Sequence, residues 1–365
     1  MPPESISYAF DGDPGLSRRR AGKGFSYTDA SGRAVDAATR RRVQKLVIPP
    51  AWTDVWICPD ANGHIQATGR DAKGRKQYIY HPEWRQWREE TKFQRILGFA
   101  AALPRLREAV ARDLAQRKLS RSLVLATAVR VLDLTLMRVG NDEYARQNQS
   151  YGLTTLLTDH IECNGKRVRF AFRGKSGKTF EAELHDRRVT CVLRRLEGLP
   201  GQHLFQFVDE DGAPCRITSD DINAYIREAS GGDFTAKDFR TWAASVLAVL
   251  LLLQQQPATS ETAAKRATTQ AVKAVARRLG NTPAVCRRSY IHPDVLESYR
   301  DGSLASLAAK IEDIEDGDTP GLLSNEKIVL GFLKRRARQR MATEKDTTAP
   351  SLKEAMGLSA AANAA

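Results

Sequence analysis

Three cations stand beside local breaks in the hydropathy pattern of this chain. Arg138 follows an apolar stretch, in Met137-Arg138-Val139-Gly140-Asn141. Lys175 occupies the glycine-flanked segment Gly174-Lys175-Ser176-Gly177, and Arg240 lies in Lys237-Asp238-Phe239-Arg240, ahead of the most apolar run. An arginine in the first turn of a helix opposes the helix dipole unless something anionic is near, and Asp238 is the partner at hand. Taken singly, each cation is better explained by a surface ion pair. Taken with Arg287-Arg288-Ser289-Tyr290, they point to a phosphodiester site. Two arginines can clamp non-bridging oxygens as negative charge grows on phosphorus. A lysine can protonate a departing sugar oxygen, and a tyrosine can attack. Arginine charge then takes the part that magnesium plays elsewhere, and the arrangement asks for no metal. Other catalytic signatures are missing: there is no P-loop, no G-x-S-x-G, no H-E-x-x-H and no paired Cys/His spacing, and the six histidines do not cluster.

The elements that must position these residues fall into two regions. Residues 1–90 carry four of the five tryptophans, many turn signals and short extended runs. Val55-Trp56-Ile57-Cys58, His64 to Gly69 and Gln77-Tyr78-Ile79-Tyr80 are separated by glycine-containing turns, which predicts a small antiparallel sheet after a helix over 36–46. From about residue 84 the pattern is helical. Leu125, Val129, Leu132 and Leu136 make one buried stripe, on a helix expected to stop at Gly140. Near 159–184 the period becomes two. The Asn164-Gly165 turn, the alternating Val168, Phe170 and Phe172, and then Phe180, Ala182 and Leu184 predict a three-stranded meander with Lys175 at a hairpin tip. Thr218/Asp221 and Thr235/Asp238 read as capping boxes, the second opening a helix buried on nearly all sides through Leu253. Another helix spans Ser260 to Gly280, and Pro283 and Pro293 each suit a first helical turn. The expected fold class is α+β: a β-rich N-terminal domain (1–90), a mainly helical catalytic domain holding a three-stranded antiparallel sheet (91–340), and a disordered tail (341–365).

Composition narrows the partners. The 57 Lys and Arg against 43 Asp and Glu leave a net charge of +14, which predicts attraction to polyanions, nucleic acid above all. Clusters at Arg18-Arg19-Arg20, Arg40-Arg41-Arg42 and Lys334 to Arg340 strengthen that, although each is also accounted for as a solvated face. Five scattered cysteines without a C-x-x-C pair argue against a disulfide framework and fit a reducing compartment. No signal-peptide pattern opens the chain, and the Trp242–Leu253 run is too short to span a bilayer, so a soluble cytoplasmic protein with no membrane partner is expected.

At this point the sequence resembles the type IB DNA topoisomerases, particularly their compact bacterial and poxvirus-like branch. The resemblance runs from Arg18-Arg19-Arg20-Ala21-Gly22-Lys23-Gly24-Phe25 through Ile48-Pro49-Pro50-Ala51-Trp52 and Gly74-Arg75-Lys76-Gln77-Tyr78. It continues with Arg138-Val139-Gly140-Asn141, Gly174-Lys175-Ser176-Gly177 and Lys237-Asp238-Phe239-Arg240-Thr241-Trp242, and ends with Leu279-Gly280-Asn281-Thr282-Pro283 and Ser289-Tyr290-Ile291. Each motif alone is weak; all of them in family order are not.

The resemblance implies that Tyr290 is the nucleophile, forming a 3′-phosphotyrosyl intermediate and a free 5′-hydroxyl. Arg138 and Arg240 would stabilise the transition state, and Lys175 would be the general acid. Asn281 stands where many family members have histidine; its amide can donate to a phosphate oxygen but cannot exchange a proton at neutral pH. Gln77, Tyr78 and Tyr80 match the strand that touches duplex DNA, although Tyr78 and Tyr80 are equally well explained as core-packing tyrosines. Relaxation would proceed by strand rotation and religation, without ATP, metal or small-molecule cofactor. A monomer clamping nucleoid DNA is implied. Two rivals remain. A tyrosine site-specific recombinase shares the chemistry but usually carries histidine where this chain has Lys237. A non-catalytic basic DNA-binding protein would leave no covalent adduct.

Overall fold

Strand alternation and capping residues account for most of the architecture in the computed structural model, which describes residues 3–22, 24–209, 211–311 and 323–348. The chain divides into two compact units, Met1–Gln94 and Arg95–Ala365.

In the first unit, β1 (Leu16–Ala21), β2 (Gly24–Thr28), β3 (Thr53–Ile57), β4 (Ile65–Arg70) and β5 (Lys76–Tyr80) form one antiparallel sheet in the order β2-β1-β3-β4-β5. Helix α1 (Ala37–Lys45) starts at Asp36, whose carboxylate accepts the Thr39 amide, and it buries Val43. Leu16, Val43, Ile48, Val55, Ile57 and Ala67 make the core of this unit. The basic clusters here are partly structural. The Arg18 guanidinium donates to the carbonyls of Ile48, Pro49 and Trp52 and lies 4.2 Å from the Phe25 ring centroid. Arg42 donates to the carbonyls of Cys58 and Pro59. Arg19, Arg20, Arg40 and Arg41 are exposed.

Helix α2 (Pro82–Asp113) contains the division between the units. In the second unit α3 (Arg121–Thr135) is buried almost throughout, capped by Ser120, whose hydroxyl accepts the Leu123 amide. It ends five residues before Gly140, because Leu136 takes a left-handed conformation (φ 57°) and closes it. Arg138 therefore lies in an irregular segment past the helix. A short α4 (Asp142–Asn148) follows. The meander β6 (Ile161–Asn164), β7 (Arg167–Arg173) and β8 (Thr179–His185) is antiparallel in the order β6-β7-β8. Val168, Phe170 and Phe172 face inward, opposite Leu184, Ala182 and Phe180.

Then come α5 (Arg187–Glu197), the ribbon β9 (Gln206–Val208) and β10 (Pro214–Arg216), and α6 (Ser219–Ser230) behind the Thr218/Asp221 capping box. Helix α7 (Ala236–Leu253) begins at the Thr235/Asp238 box. Helix α8 (Glu261–Leu279) is closed by Gly280 at φ 61°, and α9 (Pro283–Ser289) and α10 (Pro293–Arg300) each start on proline. A one-turn α11 (Ala308–Ile311) precedes α12 (Ser324–Thr348). Helix α12 runs past residue 341 into the stretch expected to be structureless, and residues 349–365 lie outside the described residues.

Buried polar contacts tie α12 to the rest of the unit. Glu326 accepts from Arg107 at 2.6 and 3.2 Å and from the indole nitrogen of Trp242 at 3.0 Å, while Arg107 also holds Asp133 at 2.8 Å. The basic cluster on α12 is partly spent as well: Arg336 pairs with Asp301, and Arg340 with Asp294 and Glu297. Among the described residues no helix is long and apolar enough to cross a membrane.

Candidate active site

Four elements of the second unit converge on one spot: the segment after α3, the start of α7, the end of α8 and the end of α9. Arg240 is buried (4% exposed) in the first turn of α7. Asp238 is not its partner. That carboxylate caps α7, accepting from the Thr235 amide and hydroxyl, and it pairs with Arg95 at 3.2 Å. The Arg240 guanidinium instead donates to two backbone carbonyls, Leu136 at the end of α3 and Leu279 (2.7 Å) at the end of α8. Its Cζ lies 5.4 Å from the centroid of the Tyr290 ring. Burial pushes its pKa down, Tyr290 acts against that, and Arg138 adds to the lowering.

Arg138 reaches the same place from the other side. One Nη donates to the Gly280 carbonyl at 3.0 Å and to the Asn281 side-chain oxygen. The backbone carrying Arg138 is fixed by a close crossing. The Leu153 amide donates to the Arg138 carbonyl at 2.9 Å, and the Thr154 amide to Val139 at 2.7 Å. A side chain at Gly152 would come within 2.6–2.7 Å of Gly140 and the Arg138 carbonyl, and Gly140 itself has φ 100°. Only glycine fits either position without displacing the arginine. Next to this crossing the Tyr151 amide donates to the Arg173 carbonyl at the end of β7. The β7–β8 turn is thereby tied to the Arg138 segment.

Tyr290 caps α9, half-buried, with its amide donating to the Cys286 carbonyl at 3.0 Å. Cys286 is fully buried beneath it. Burial raises the thiol pKa, while Arg240, Asn281 and Arg138 act in the opposite direction. Among the buried donors of the described residues that make no hydrogen bond are two at this site, Arg240 Nε and Asn281 Nδ2, the latter beside the Cys286 thiol. Buried polar groups without partners are uncommon, and donors in this state are available to an anionic oxygen. Among the described residues no group of three or more His, Cys, Asp and Glu is arranged to hold a metal ion.

The five residues singled out for chemistry thus divide. Arg138, Arg240, Asn281 and Tyr290 come together. Lys175 sits in the exposed turn between β7 and β8, with no ion pair or hydrogen bond to those four among the described residues. Gln77, Tyr78 and Tyr80 all lie on β5, but not on one face. Tyr78 and Tyr80 are 43% and 37% exposed and stack with ring centroids 5.8 Å apart, so they are not core tyrosines. Gln77 alternates to the other face and donates to Asp71 at 3.0 Å. Sequence reasoning missed Cys286, Gly152 and the two carbonyls that hold Arg240. Only Cys286 carried a signal, one helical turn before Tyr290.

A family model described as the catalytic core of eukaryotic DNA topoisomerase I matches residues 81–316. The chain belongs to the type IB DNA topoisomerases. A second model, the N-terminal domain of bacterial DNA topoisomerase IB, matches residues 24–71. The chain is 35% identical over 326 residues to DNA topoisomerase 1B of Acanthamoeba polyphaga mimivirus, covering 87% of this chain and 97% of that protein. It is 23% identical over 279 residues to DNA topoisomerase 1B of Vaccinia virus (strain Copenhagen), covering 73% and 84%. Among solved structures, it is similar to the XerH site-specific recombinase bound to difH substrate in a pre-cleavage complex. That likeness has a TM-score of 0.33 and 14% identity over 54% of this chain and 52% of the other. It is too slight to bear on fold or function.

Proposed function

We propose that this topoisomerase relaxes supercoiled duplex DNA through a covalent bond between Tyr290 and the 3′ side of a nick. The Tyr290 oxygen attacks phosphorus, its proton passing to solvent water, as the bond from phosphorus to the 5′-oxygen breaks. The products are a 3′-phosphotyrosyl ester and a strand ending in a 5′-hydroxyl, which takes its proton from Lys175. The downstream duplex rotates, and the 5′-hydroxyl then attacks the ester to restore the strand. The diester's energy is kept in the tyrosyl ester, so no ATP is consumed.

Arg138, Arg240 and Asn281 bind the non-bridging oxygens. The observation that carries this reading is the pair of unspent buried donors, Arg240 Nε and Asn281 Nδ2, beside the Tyr290 ring. Such donors cost stability in the free protein and are satisfied when an oxyanion arrives. Lys175, on an exposed turn, is free to approach the leaving oxygen without first breaking a contact. Tyr78 and Tyr80 present stacked, exposed rings suited to contact with DNA. The chain acts as a monomer on nucleoid DNA.

The test is relaxation of supercoiled plasmid with excess chelator and no ATP. Wild-type protein relaxes the plasmid and leaves a protein–DNA adduct on a denaturing gel; Tyr290→Phe does neither. An adduct that persists in Tyr290→Phe moves the chemistry to another residue.

A further inference from the structure

The short link between α9 and α10 carries Tyr290, Ile291 and His292, and its backbone is held from two sides. From α9, the Cys286 carbonyl accepts the amides of both Tyr290 and Ile291 at 3.0 Å. From α7, the Ser245 side chain reaches it. The hydroxyl of Ser245 accepts the His292 amide at 2.9 Å and lies 3.3 Å from the Tyr290 carbonyl, toward which it can donate. The same hydroxyl is within 3.0 Å of the Thr241 carbonyl one turn back on its own helix. Ser245 is completely buried.

A serine placed in the middle of a buried apolar helix normally spends its hydroxyl on the carbonyl four residues earlier. Here that hydroxyl also grips the peptides on both sides of Ile291. Leu or Ala would suit helix α7 better at this position, on propensity and on burial alike. The helix that carries the Ser245 hydroxyl also carries Arg240, whose guanidinium lies 5.4 Å from the Tyr290 ring centroid.

We infer that Ser245 is a positioning residue for the transesterification: it fixes the backbone of the nucleophile against the helix that supplies a transition-state guanidinium. It touches neither phosphate nor leaving group. The inference rests on the proposed role of Tyr290. Its effect follows from geometry: attack needs the phenolic oxygen close to phosphorus and in line with the leaving oxygen, and a misplacement of about 1 Å costs on the order of a hundred-fold in rate. Losing the clamp also leaves the His292 amide without its acceptor, which favours a shift of this link.

The experiment measures single-turnover formation of the covalent adduct on a radiolabelled duplex, together with duplex affinity and thermal midpoint. Variants are Ser245→Ala and Thr127→Ala. Thr127 is equally buried and bonds to the carbonyl of Leu123 four residues back, but it makes no described contact with the Tyr290 link. Ser245→Ala is expected to slow adduct formation roughly ten- to hundred-fold at a temperature where it remains folded, with duplex affinity changed less than two-fold. Thr127→Ala loses a comparable hydroxyl and keeps its cleavage rate. The inference is overturned if Ser245→Ala forms adduct at the wild-type rate, or if both variants slow equally, which would make the effect one of stability. The failure of the Tyr290 reading looks different: the wild-type protein itself would form no adduct, or Tyr290→Phe would form one.

Discussion

Replacing Asn281 by aspartate should raise stability while nearly abolishing strand cleavage. The Asn281 side-chain oxygen already accepts from Arg138, and its amide nitrogen is buried without a partner. A carboxylate keeps the acceptor, deletes the orphaned donor and puts a negative charge beside Arg138, with Arg240 close by. A hydrogen bond to a charged group is worth about 1.5–3 kcal/mol, and the half-exposed position discounts it, so a gain of about 1–2 kcal/mol is expected. At this chain length that is a rise of roughly 1–3 °C in midpoint. Cleavage loses the oxyanion donor, about 2 kcal/mol. It also meets repulsion between carboxylate and phosphate, about 4 kcal/mol at 4 Å with an effective dielectric constant near 20, and roughly half that after partial solvent exposure. The sum, about 4 kcal/mol, slows adduct formation about a thousand-fold. Scanning calorimetry and single-turnover cleavage measure the two effects on one preparation. Cleavage within ten-fold of wild type, or a lowered midpoint, would refute the oxyanion role assigned to Asn281.

Two further outcomes follow from buried groups. Glu326→Ala removes the acceptor for Arg107, for the Trp242 indole and for the Leu323 amide. A loss of about 3 kcal/mol is expected, because Asp133 still pairs with Arg107 while the Trp242 N–H is stranded; chemical denaturation showing less than about 1 kcal/mol would contradict the network. His292 is buried at the start of α10, and burial together with Arg340 lowers its pKa to about 4. Between about 6.5 and about 4 the unfolded chain binds the extra proton, so stability falls as pH drops through that window and this group adds nothing more below it. The ceiling is about 3 kcal/mol, trimmed by the Asp294 carboxylate 3.8 Å from the ring. His292→Asn keeps a capping acceptor, and its midpoint should lose less on acidification than wild type; parallel curves would exclude the histidine as the source.

Legibility of the fold tracked how far each feature was local. The meander was readable because Val168, Phe170 and Phe172 face a core on one side only, which imposes a period of two. Strands β1 and β2 were not, because Leu16 is the sole buried residue of β1 and no alternation betrays it. Arg18 looked like part of a phosphate-binding cluster for the same reason: its three carbonyl partners lie 30–34 residues away. The end of α3 was misplaced since nothing in Leu136-Met137-Arg138 announces that a leucine will adopt φ 57°. Four of the five residues singled out for chemistry lie together in the structure, but what holds them did not show. Arg240 is fixed by carbonyls 104 and 39 residues distant, which no spacing rule reports.

Those carbonyls resolve the electrostatic oddity that Arg240 presents in the sequence. A cation in the first turn of α7 faces the positive end of that helix's dipole, and a carboxylate counterion would normally correct it. A carboxylate there would also repel the phosphate that the proposed mechanism brings to this site. The protein instead points the negative ends of two other helices at the guanidinium: the carbonyl of Leu136 closes α3, and that of Leu279 closes α8. Arg138 takes the next carbonyl along, Gly280. Helix C-termini carry only partial negative charge, so they orient a guanidinium and make its burial tolerable without neutralising it. The result is a pair of arginines held in place with net positive charge to spare. The left-handed turns at Leu136 and Gly280 are thus part of the site, since each exposes the carbonyls that an uninterrupted helix would have used internally.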